Sequence, residues 1–377
     1  MRFRPTVIEI DQDALVHNVS LLKSLAEPAL TCVAVKANGY GHGMVSAAQA
    51  ALKGGATWLA VALVEEAIEL REHGIDSEIL VLSQPSGPGI VAASKHNVVV
   101  TIDRLAGLDD LVALPAGSVR AHLKVNTGMN RAGAQPEDVV QLARRVAAMS
   151  AIRCEGIFTH FACADHEDPT VTHRQLELFN QVVELVQEHV REPLLVHAAN
   201  SAGAAGFAAA RYDMVRWGIA AYGLSPYGTA RSIDGLVSSM RVISAVSNLR
   251  IAGAGEGVSY GHRTVLQRPT LIATVPVGYG DGIRRDYGLR GGHVLVGGQR
   301  CEVLGVVTMD QMMVAVPETT ELGDEVVLIG SQGEQTITAD EIADVLDTIG
   351  YEVVCALSAR VPRVVRPFTS SEHSEYG

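Results

Sequence analysis

The first 230 or so residues alternate short apolar runs with segments of helical periodicity. The runs are rich in β-branched residues and stop at glycine, asparagine or charged residues, as buried strands do. They predict eight strands, at Val33–Val35, Trp58–Leu63, Ile79–Leu82, Val98–Ile102, Val119–Val125, Ile157–His160, Leu194–His197 and Met214–Trp217.

Helical segments fill most of the intervals between these strands. Met44–Lys53 and Val64–His73 are each followed by glycine, and Pro136–Met149 has proline in its first turn. Eight strands alternating with helices predict an α/β protein with a (β/α)8 TIM-like barrel. The strands are too continuously apolar for a sheet with one face in water. An open doubly wound sheet is the alternative architecture.

From about residue 235 the pattern changes to short strands separated by turns, followed by one helix, Thr338–Leu346. These strands indicate a mostly antiparallel β-domain, to which Val7–Ile10 is a candidate addition. We therefore predict a barrel over 11–233 and a mostly β C-terminal domain over 234–377 with strand 1–10. The predicted strands of the second domain are Met240–Ile251, Leu271–Val277, Val294–Val296, Cys301–Val307, Met312–Val316 and Glu325–Ile329.

Composition narrows the classes of function. The 377 residues are 47% hydrophobic, which is enough for a large core, and the net charge of −12 disfavours nucleic acid or an anionic membrane as partner. No apolar run has the length of a signal peptide or of a membrane helix, which needs roughly 18 residues. The cysteines lack metal-ligand spacing and predict reduced core residues of a cytoplasmic protein without a metal site; they are Cys32, Cys154, Cys163, Cys301 and Cys355.

Polar residues stand at the ends of the predicted barrel strands, where barrels carry their chemistry. They are Lys36, Lys124, His160, His197 and Arg216. Each has a plainer interpretation by itself, because strand ends meet solvent and a single histidine is more often a core residue. Their joint occurrence favours an active site.

Lys36 is the strongest single candidate, because it ends an apolar strand and precedes seven residues that contain three glycines. Such a loop lets the backbone approach a ligand. At the edge of a core, desolvation lowers the pKa of a lysine, and the neutral amine can form a Schiff base. A surface lysine that simply ends a strand is the alternative.

The motif Ala34–Gly43 resembles the pyridoxal 5'-phosphate (PLP) motif of alanine racemases. That motif by itself also occurs in barrel-type PLP decarboxylases, but the resemblance extends over nearly the whole chain. The further matching segments are Leu123–Arg131, Thr159–Asp165, His197–Ser201, Val215–Ile219, Val258–Gly261, Val277–Gly282, Met309–Gln311 and Gly350–Glu352.

The resemblance implies racemisation of L- and D-alanine, providing D-alanine for bacterial cell-wall peptidoglycan. Racemisation needs a carbanion at Cα and a proton source on each face, and PLP supplies the electron sink. Lys36 is expected to carry PLP and to act as the base on the D-alanine face, with Tyr260 serving the L-alanine face. Spacing alone would favour Tyr260 as a strand tyrosine packed by its ring.

The resemblance also assigns the cofactor pocket. Arg216 is expected to donate to the pyridine nitrogen, where decarboxylases carry a carboxylate; a structural salt bridge is the alternative. His197 would orient Arg216, and His160 would lie behind the cofactor ring. The phosphate is expected near the last two barrel strands. The residues assigned around it are Tyr40, Ser201, Gly218, Ile219 and Tyr351, and Asn200 is assigned to the cofactor pocket.

The remaining assignments concern the substrate. Arg131 and the backbone of Met309 are expected to bind its carboxylate. In some relatives the lysine that matches Lys124 is carbamylated and braces the arginine, and the resemblance leaves this open here. Tyr279 and Asp310 are expected to support the site, and Asp165 and Arg285 to line its entrance.

This sequence departs from the usual family pattern at four positions. Val306 replaces an entrance arginine, which puts the substrate selectivity in doubt. Gly280, Asn126 and Ala359 replace a more usual alanine, aspartate and tyrosine.

The family pattern is a head-to-tail homodimer with shared active sites, which is our hypothesis for this chain. The closest alternative function is a broad-specificity or serine racemase. A non-catalytic PLP-binding protein would match only the barrel, and a decarboxylase would lack Arg216.

Overall fold

The computed structural model describes residues 3–190, 192–366 and 368. Eight parallel strands form the predicted barrel: the first seven pair in sequence, and the eighth pairs with the first. After an N-terminal strand β1 (Val7–Asp11), the barrel strands are β2 (Leu30–Ala34), β3 (Trp58–Val61), β4 (Glu78–Val81), β5 (Val99–Ile102), β6 (Val119–Lys124), β7 (Ile152–Phe158), β8 (Leu195–His197) and β9 (Met214–Trp217).

The barrel is nearly closed. The ladder stops between β8 and β9, but the Asp213 N–H donates to Val196 O (3.1 Å) and the Arg216 N–H donates to Ala199 O (3.0 Å) across this gap. All four residues of β3 and of β5 are buried. Strands covered on both faces explain the continuous apolar runs, so the barrel prediction is confirmed and the doubly wound alternative is wrong.

Helices connect the strands on the outside of the barrel. The helix at Pro136 buries Val139, Leu142, Ala143 and Val146, which lie on one face at helical spacing. Asp11 begins the first helix by accepting from the Ala14 N–H at 3.0 Å. The helices are α1 (Gln12–Ala26), α2 (Lys36–Tyr40), α3 (Met44–Lys53), α4 (Val64–Glu72), α5 (Gly87–Lys95), α6 (Pro136–Ala148), α7 (Thr170–Gln187) and α8 (Ser201–Gly206).

The second domain is built on one large sheet with the order β11-β14-β17-β16-β15-β18-β10-β1-β20. Strand β19 pairs with β18, and β12 and β13 form a separate hairpin. The strands are β10 (Met240–Ala245), β11 (Asn248–Ala252), β12 (Gly257–Val258), β13 (Thr264–Val265), β14 (Thr270–Val275), β15 (His293–Val296), β16 (Gln299–Leu304), β17 (Met312–Ala315), β18 (Glu325–Gln332), β19 (Gln335–Ile337) and β20 (Arg363–Arg366). Two helices lie between β19 and β20 in the chain, α9 (Ala339–Leu346) and α10 (Gly350–Ala356).

The N-terminal strand joins this second domain, as predicted. It pairs antiparallel with β10, with Val7 opposite Ile243, and parallel with β20, with Ile8 opposite Arg363. The chain therefore starts in the second domain, leaves it to build the barrel, and returns. The domain boundary between 233 and 234 stays a prediction, and residues 369–377 lie outside the described part.

Several element predictions need correction. The single strand predicted at Met240–Ile251 is two strands, β10 and β11, and most other strands end a few residues earlier than predicted. Cys32, Cys154 and Cys301 are buried, but Cys163 is half-buried and Cys355 is exposed, so the prediction of core cysteines is wrong for these two. No helix among the described residues is long and apolar enough to cross a membrane.

Candidate active site

Lys36 lies two residues beyond β2, at the start of α2 rather than on the strand itself. The four residues after it have positive φ angles of 53°, 53°, 59° and 51°, so the backbone makes one left-handed turn. Three of them, Ala37, Asn38 and Tyr40, are not glycine, and each costs about 1–2 kcal/mol in this conformation. Strain of this kind is characteristic of functional sites.

Contacts from neighbouring elements hold the left-handed turn. The Ala37 N–H donates to Glu66 Oε1 (2.7 Å), and the Glu66 carboxylate also accepts from the N–H groups of Ala62 and Leu63. Asn38 Oδ1 accepts from the Met44 N–H at 3.0 Å, at the start of α3. The turn is thus fixed at both ends.

The turn directs Lys36 into a cavity of about 540 Å³ at the carboxyl ends of the barrel strands. Burial lowers the pKa of Lys36, and the nearby Arg131 guanidinium lowers it further. The sequence-based expectation of a lowered pKa is confirmed. The same cavity is lined by most of the predicted cofactor residues, namely Tyr40, His160, Asn200, Ser201, Arg216, Gly218 and Tyr351.

Hydroxyl groups cluster on one side of this cavity, around Gly218. The Gly218 N–H donates to Ser201 Oγ at 2.9 Å, so the serine keeps its own proton for another acceptor. A Cβ on Gly218 would come within 2.9 Å of the Tyr40 hydroxyl oxygen, which explains the glycine. The rings of Tyr40 and Tyr351 lie 6.1 Å apart, and neither hydroxyl bonds to another described residue. Ile219, the next residue in the chain, is buried.

Arg216 occupies the cavity floor and is 4% exposed. Its Nη2 donates to the carbonyl oxygens of Thr159 and Ala198, both at 2.8 Å, and lies 3.1 Å from His160 Nδ1. Its Nη1 donates to His197 Nδ1 at 2.8 Å. Burial lowers its pKa to about 10, so the guanidinium stays charged at neutral pH. Nε forms no hydrogen bond within the described chain and is available to a ligand.

Lys124 and Arg131 also line the cavity. Lys124 Nζ donates to Leu82 O at 3.0 Å, and burial, reinforced by the charge of Arg131, lowers its pKa to about 8. A substantial neutral fraction of this amine is therefore present slightly above neutral pH. Asn126, at the position usually held by aspartate, fixes the adjoining turn by accepting from the Gly128 and Asn130 N–H groups.

Apart from Tyr351 on the cavity wall, the predicted site residues of the second domain lie outside the cavity, and three of them are exposed. Tyr260 is 70% exposed, Met309 53% and Tyr279 41%, and none of them lines the cavity. Backbone hydrogen bonds join their loops: the Tyr279 N–H donates to Thr308 O, and the Gly280 N–H to Met309 O, both at 2.9 Å. The Ser259 hydroxyl donates to Val306 O at 2.6 Å, which ties the Tyr260 loop to the same surface.

Three more predicted residues lie near these two groups. The Arg285 carbonyl accepts from the Val307 N–H at 3.0 Å, and the Asp310 carboxylate accepts from Arg360 at 2.7 Å. Asp165 is exposed in a barrel loop, and its negative charge adds to the effect of burial in raising the pKa of Tyr351. No hydrogen bond or ion pair joins Asp165 to Arg285 among the described residues, so their joint role at an entrance stays a prediction.

The departures from the family pattern have different local surroundings. Val306 is buried and contributes its carbonyl to the Tyr260 loop, while Ala359 is exposed. A Cβ on Gly280 would meet Arg360 Nη1 at 2.3 Å, so glycine leaves room for the ion pair between Arg360 and Asp310.

With this geometry established, the chain can be compared with known proteins. Residues 10–226 match the sequence profile of the alanine racemase N-terminal domain, and residues 239–365 match that of the C-terminal domain. The chain belongs to the alanine racemase family. Together the two profiles cover both the barrel and the second domain, so membership in the alanine racemase family extends to the domain that carries Tyr260.

Individual members of the alanine racemase family align over almost the full chain. The alanine racemase of Symbiobacterium thermophilum is 44% identical and covers 96% of this chain and 97% of its own length. Alanine racemase 1 of Bacillus subtilis is 39% identical, with 96% and 93% covered. The crystal structure of alanine racemase from D-cycloserine-producing Streptomyces lavendulae superposes with a TM-score of 0.92 at 34% identity, covering 99% of this chain and 100% of that chain.

Sequence reasoning missed four residues that shape the site. Glu66 holds the left-handed turn, and the buried His42 ring bonds to the carbonyls of Gly39 and Tyr40 within it. His122 lies behind His197, and Cys355 of α10 is on the cavity wall. His42 belongs to the recognised motif and was identifiable, whereas nothing in the local sequence around His122 indicates its contact with His197.

Proposed function

We propose that this protein racemises alanine with PLP as cofactor, in a homodimer whose active sites are shared between chains. The observation that carries the proposal is the cavity whose lining brings together Lys36, a cluster of hydroxyl groups and the buried, charged Arg216. Membership in the alanine racemase family supports the same conclusion.

The donor set of the cavity fits PLP. Ser201, Tyr40 and Tyr351 each have a hydroxyl proton to give to a phosphate, and the backbone at Gly218 and Ile219 lies beside them. Arg216 would face the pyridine nitrogen with its unused Nε–H, and His160 would lie behind the ring. When bound, PLP withdraws electrons from the substrate Cα and so makes its proton removable.

The residues of the chain divide the proton transfers between two faces. Lys36 would take or return the Cα proton on the D-alanine side, and its lowered pKa makes the neutral amine available for this. Arg131, on the same cavity wall, would orient the substrate carboxylate. A guanidinium facing the ring nitrogen does not give up its proton, which favours racemisation over the decarboxylation chemistry of barrel enzymes with a carboxylate there.

Tyr260 would serve the L-alanine side, and in our proposal it reaches the cavity from the partner subunit. Its ring is 70% exposed and stands with Met309, Tyr279 and Val265, also exposed, on one surface of the second domain. An apolar group of this size, next to a strained Ser259 with φ of +63°, fits a surface covered by a second copy. The arrangement is head-to-tail, because the barrel of one chain meets the second domain of the other.

We place the enzyme in the cytoplasm, where it would supply D-alanine for peptidoglycan. This part of the proposal follows the family. The buried Val306, in place of an entrance arginine, is the observation that keeps a broader substrate range, including serine, as the second candidate. A panel of L-amino acids assayed for conversion to the D-form separates the two.

Incubation with L-alanine in heavy water tests the reaction. We expect D-alanine carrying deuterium at Cα, because the proton lost on one face is replaced from a group that exchanges with solvent. D-alanine that keeps its original Cα hydrogen would contradict a two-base mechanism, and an absence of D-alanine would contradict the function.

Subunit mixing tests the shared site. Lys36→Ala and Tyr260→Phe are each expected to be inactive as homodimers, whereas co-expressed chains form mixed dimers with one intact site. Random assortment should restore about a quarter of the wild-type activity. If each site were built within one chain, the mixture would stay inactive.

A further inference from the structure

Arg216 is the first member of a row of three buried side chains. Its Nη1 lies 2.8 Å from His197 Nδ1, and His197 Nε2 lies 2.9 Å from His122 Nδ1. Both histidines are 0% exposed. The row thus runs from the cavity floor into the interior of the barrel.

The chemistry of arginine fixes the direction of every hydrogen bond in this row. A guanidinium has only donors, so His197 Nδ1 must accept. The ring of His197 then carries its proton on Nε2 and donates it to His122, whose Nδ1 must accept in turn. The remaining proton of His122 therefore sits on Nε2, which bonds to no other described residue.

Packing prevents both rings from leaving this arrangement. The Phe158 ring stacks on His197 at 4.8 Å between centroids with an interplanar angle of 7°. The Trp58 ring lies 5.4 Å from that of His122 on β6, and a Cβ on Gly156 would come within 2.8 Å of the His122 ring. Burial lowers the pKa of His122 to about 3 and that of His197 well below its usual value, so both rings are neutral.

We propose that His122 is a positioning residue for the reaction: by accepting the proton of His197 Nε2, it fixes the one His197 tautomer that can accept from Arg216. The chemical requirement is an acceptor at the position of His122 Nδ1. Without this acceptor, a His197 protonated on Nε2 has a buried N–H that lacks a partner. A His197 protonated on Nδ1 instead directs that proton at the Arg216 guanidinium, which can only donate. In either case Arg216 loses its fixed orientation.

A matched pair of variants separates the acceptor from the volume of the side chain. Asparagine and leucine have nearly the same shape, and both are smaller than histidine, so each leaves the same space beside Trp58. Only His122→Asn keeps a hydrogen-bond acceptor near the position of Nδ1, in this case the oxygen Oδ1. The role in catalysis rests on the proposed function, so the first readout does not require activity.

That readout is the ¹⁵N NMR spectrum of histidine-labelled, cofactor-free protein, with the His197 signals assigned by their loss in His197→Gln. We expect the wild type and His122→Asn to show His197 protonated on Nε2 alone, and His122→Leu to lose this single state. A wild-type His197 protonated on Nδ1, or on both nitrogens, would overturn the proposal.

The second readout is kinetic. We expect kcat of His122→Leu to fall roughly tenfold to a hundredfold, as for a lost buried hydrogen-bond partner, and His122→Asn to retain most of its rate. If kcat fell equally in His122→Leu and His122→Asn, and His197 kept the same protonation state in both, the proposal would be overturned. His122 would then act only by filling space. If the wild type shows the expected tautomer but does not racemise alanine, the proposed function fails and the hydrogen-bonded row stands.

Discussion

The two groups of site residues differ in how much of their surroundings the chain itself provides. Arg216 in the barrel is 4% exposed, and its guanidinium bonds to two carbonyl oxygens and two histidines. Tyr260 in the second domain is 70% exposed, and no hydrogen bond joins its hydroxyl to the described chain. Folding of the chain supplies the hydrogen-bond partners of Arg216, whereas the Tyr260 hydroxyl remains exposed and able to contact another molecule.

Because of this difference, we expect a substitution of a barrel site residue to lower both the stability and the activity of the protein. A substitution of an exposed site residue in the second domain should lower the activity alone. Removing a buried side chain that donates several hydrogen bonds leaves its partners without a donor, and the fold loses free energy. An exposed hydroxyl can be removed at almost no cost to the fold. The following predictions test that contrast, beginning with the largest effect.

Arg216→Leu should damage the protein in both respects. It leaves the carbonyl oxygens of Thr159 and Ala198 buried without a donor, so we expect the free energy of unfolding to fall by about 3 kcal/mol or more. Racemisation should fall by at least about 10³-fold, because a charge aimed at the reacting system is lost. Urea denaturation and an alanine racemisation assay measure the two effects.

Arg153→Leu is the matched control. Its side chain is 64% exposed and pairs with Glu155 at 3.1 Å on the barrel surface, so its loss should cost less than about 1 kcal/mol. Similar unfolding curves for Arg216→Leu and Arg153→Leu would contradict the claim that the buried Arg216 stabilises the barrel.

Tyr260→Phe should separate activity from stability. We expect racemisation to fall by about 10²- to 10⁴-fold, as for loss of a general acid or base, while the free energy of unfolding changes by less than about 0.5 kcal/mol. The rates in both directions and a urea titration are measured on the same preparation. Undiminished racemisation would remove Tyr260 from the site, and a large loss of stability would show that its hydroxyl has a partner in the fold.

Acid should destabilise the protein through the barrel. The three histidines that the described chain buries completely, His42, His122 and His197, all lie there. Burial lowers the pKa of His42 to about 4 and of His122 to about 3, and that of His197 well below normal. Below about pH 6.5 the unfolded chain binds protons that the folded chain does not, so stability falls as the pH falls.

At pH 5.5 His42 and His122 should each remove about 1.4 kcal/mol of stability. His197 and His160, whose pKa values burial also lowers well below normal, add to this loss. Urea titrations at pH 7.5 and pH 5.5 measure the difference. His42→Gln should reduce the difference by about 1.4 kcal/mol, whereas an equal stability of the wild type at both pH values would contradict the assignment.

Gly280→Ala should have the smallest effect. The added Cβ meets the end of the Arg360 side chain, which is flexible and 49% exposed, so the ion pair with Asp310 yields at a cost below about 1 kcal/mol. We expect nearly unchanged racemisation and a slightly lower melting temperature. A loss of activity comparable to that of Tyr260→Phe would mean that the Met309 loop is held far more tightly than its exposure indicates.

The barrel and the strand β1 could be predicted because their signals are local. Most barrel strands contain a short apolar run, and the polar residues at the strand ends follow from the alternation of strand and helix. Three glycines after Lys36 indicated a loop whose backbone can approach a ligand. They did not indicate that Ala37, Asn38 and Tyr40 adopt left-handed angles, because the contact that holds them comes from Glu66, one strand further along.

The rest of the site depends on contacts that no local pattern records. His122 lies on β6, which also carries Arg120 and Lys124, and only the barrel geometry brings its ring to His197. The exposure of Tyr260 is likewise invisible in the sequence, because Val258 and Leu266 on either side of its loop are buried. Helix α10, which carries Tyr351 and Cys355 to the cavity, was missed because its seven residues are too few for a periodic signal.

The position of β1 has a consequence for synthesis on the ribosome. This strand is translated before the barrel, yet its two neighbours, β10 and β20, are translated after residue 239 and after residue 362. The barrel can therefore close while one edge of β1 is still without its partner β20. Nascent chains released before residue 363 should therefore expose an unpaired edge, and we expect them to aggregate even though their barrel is complete.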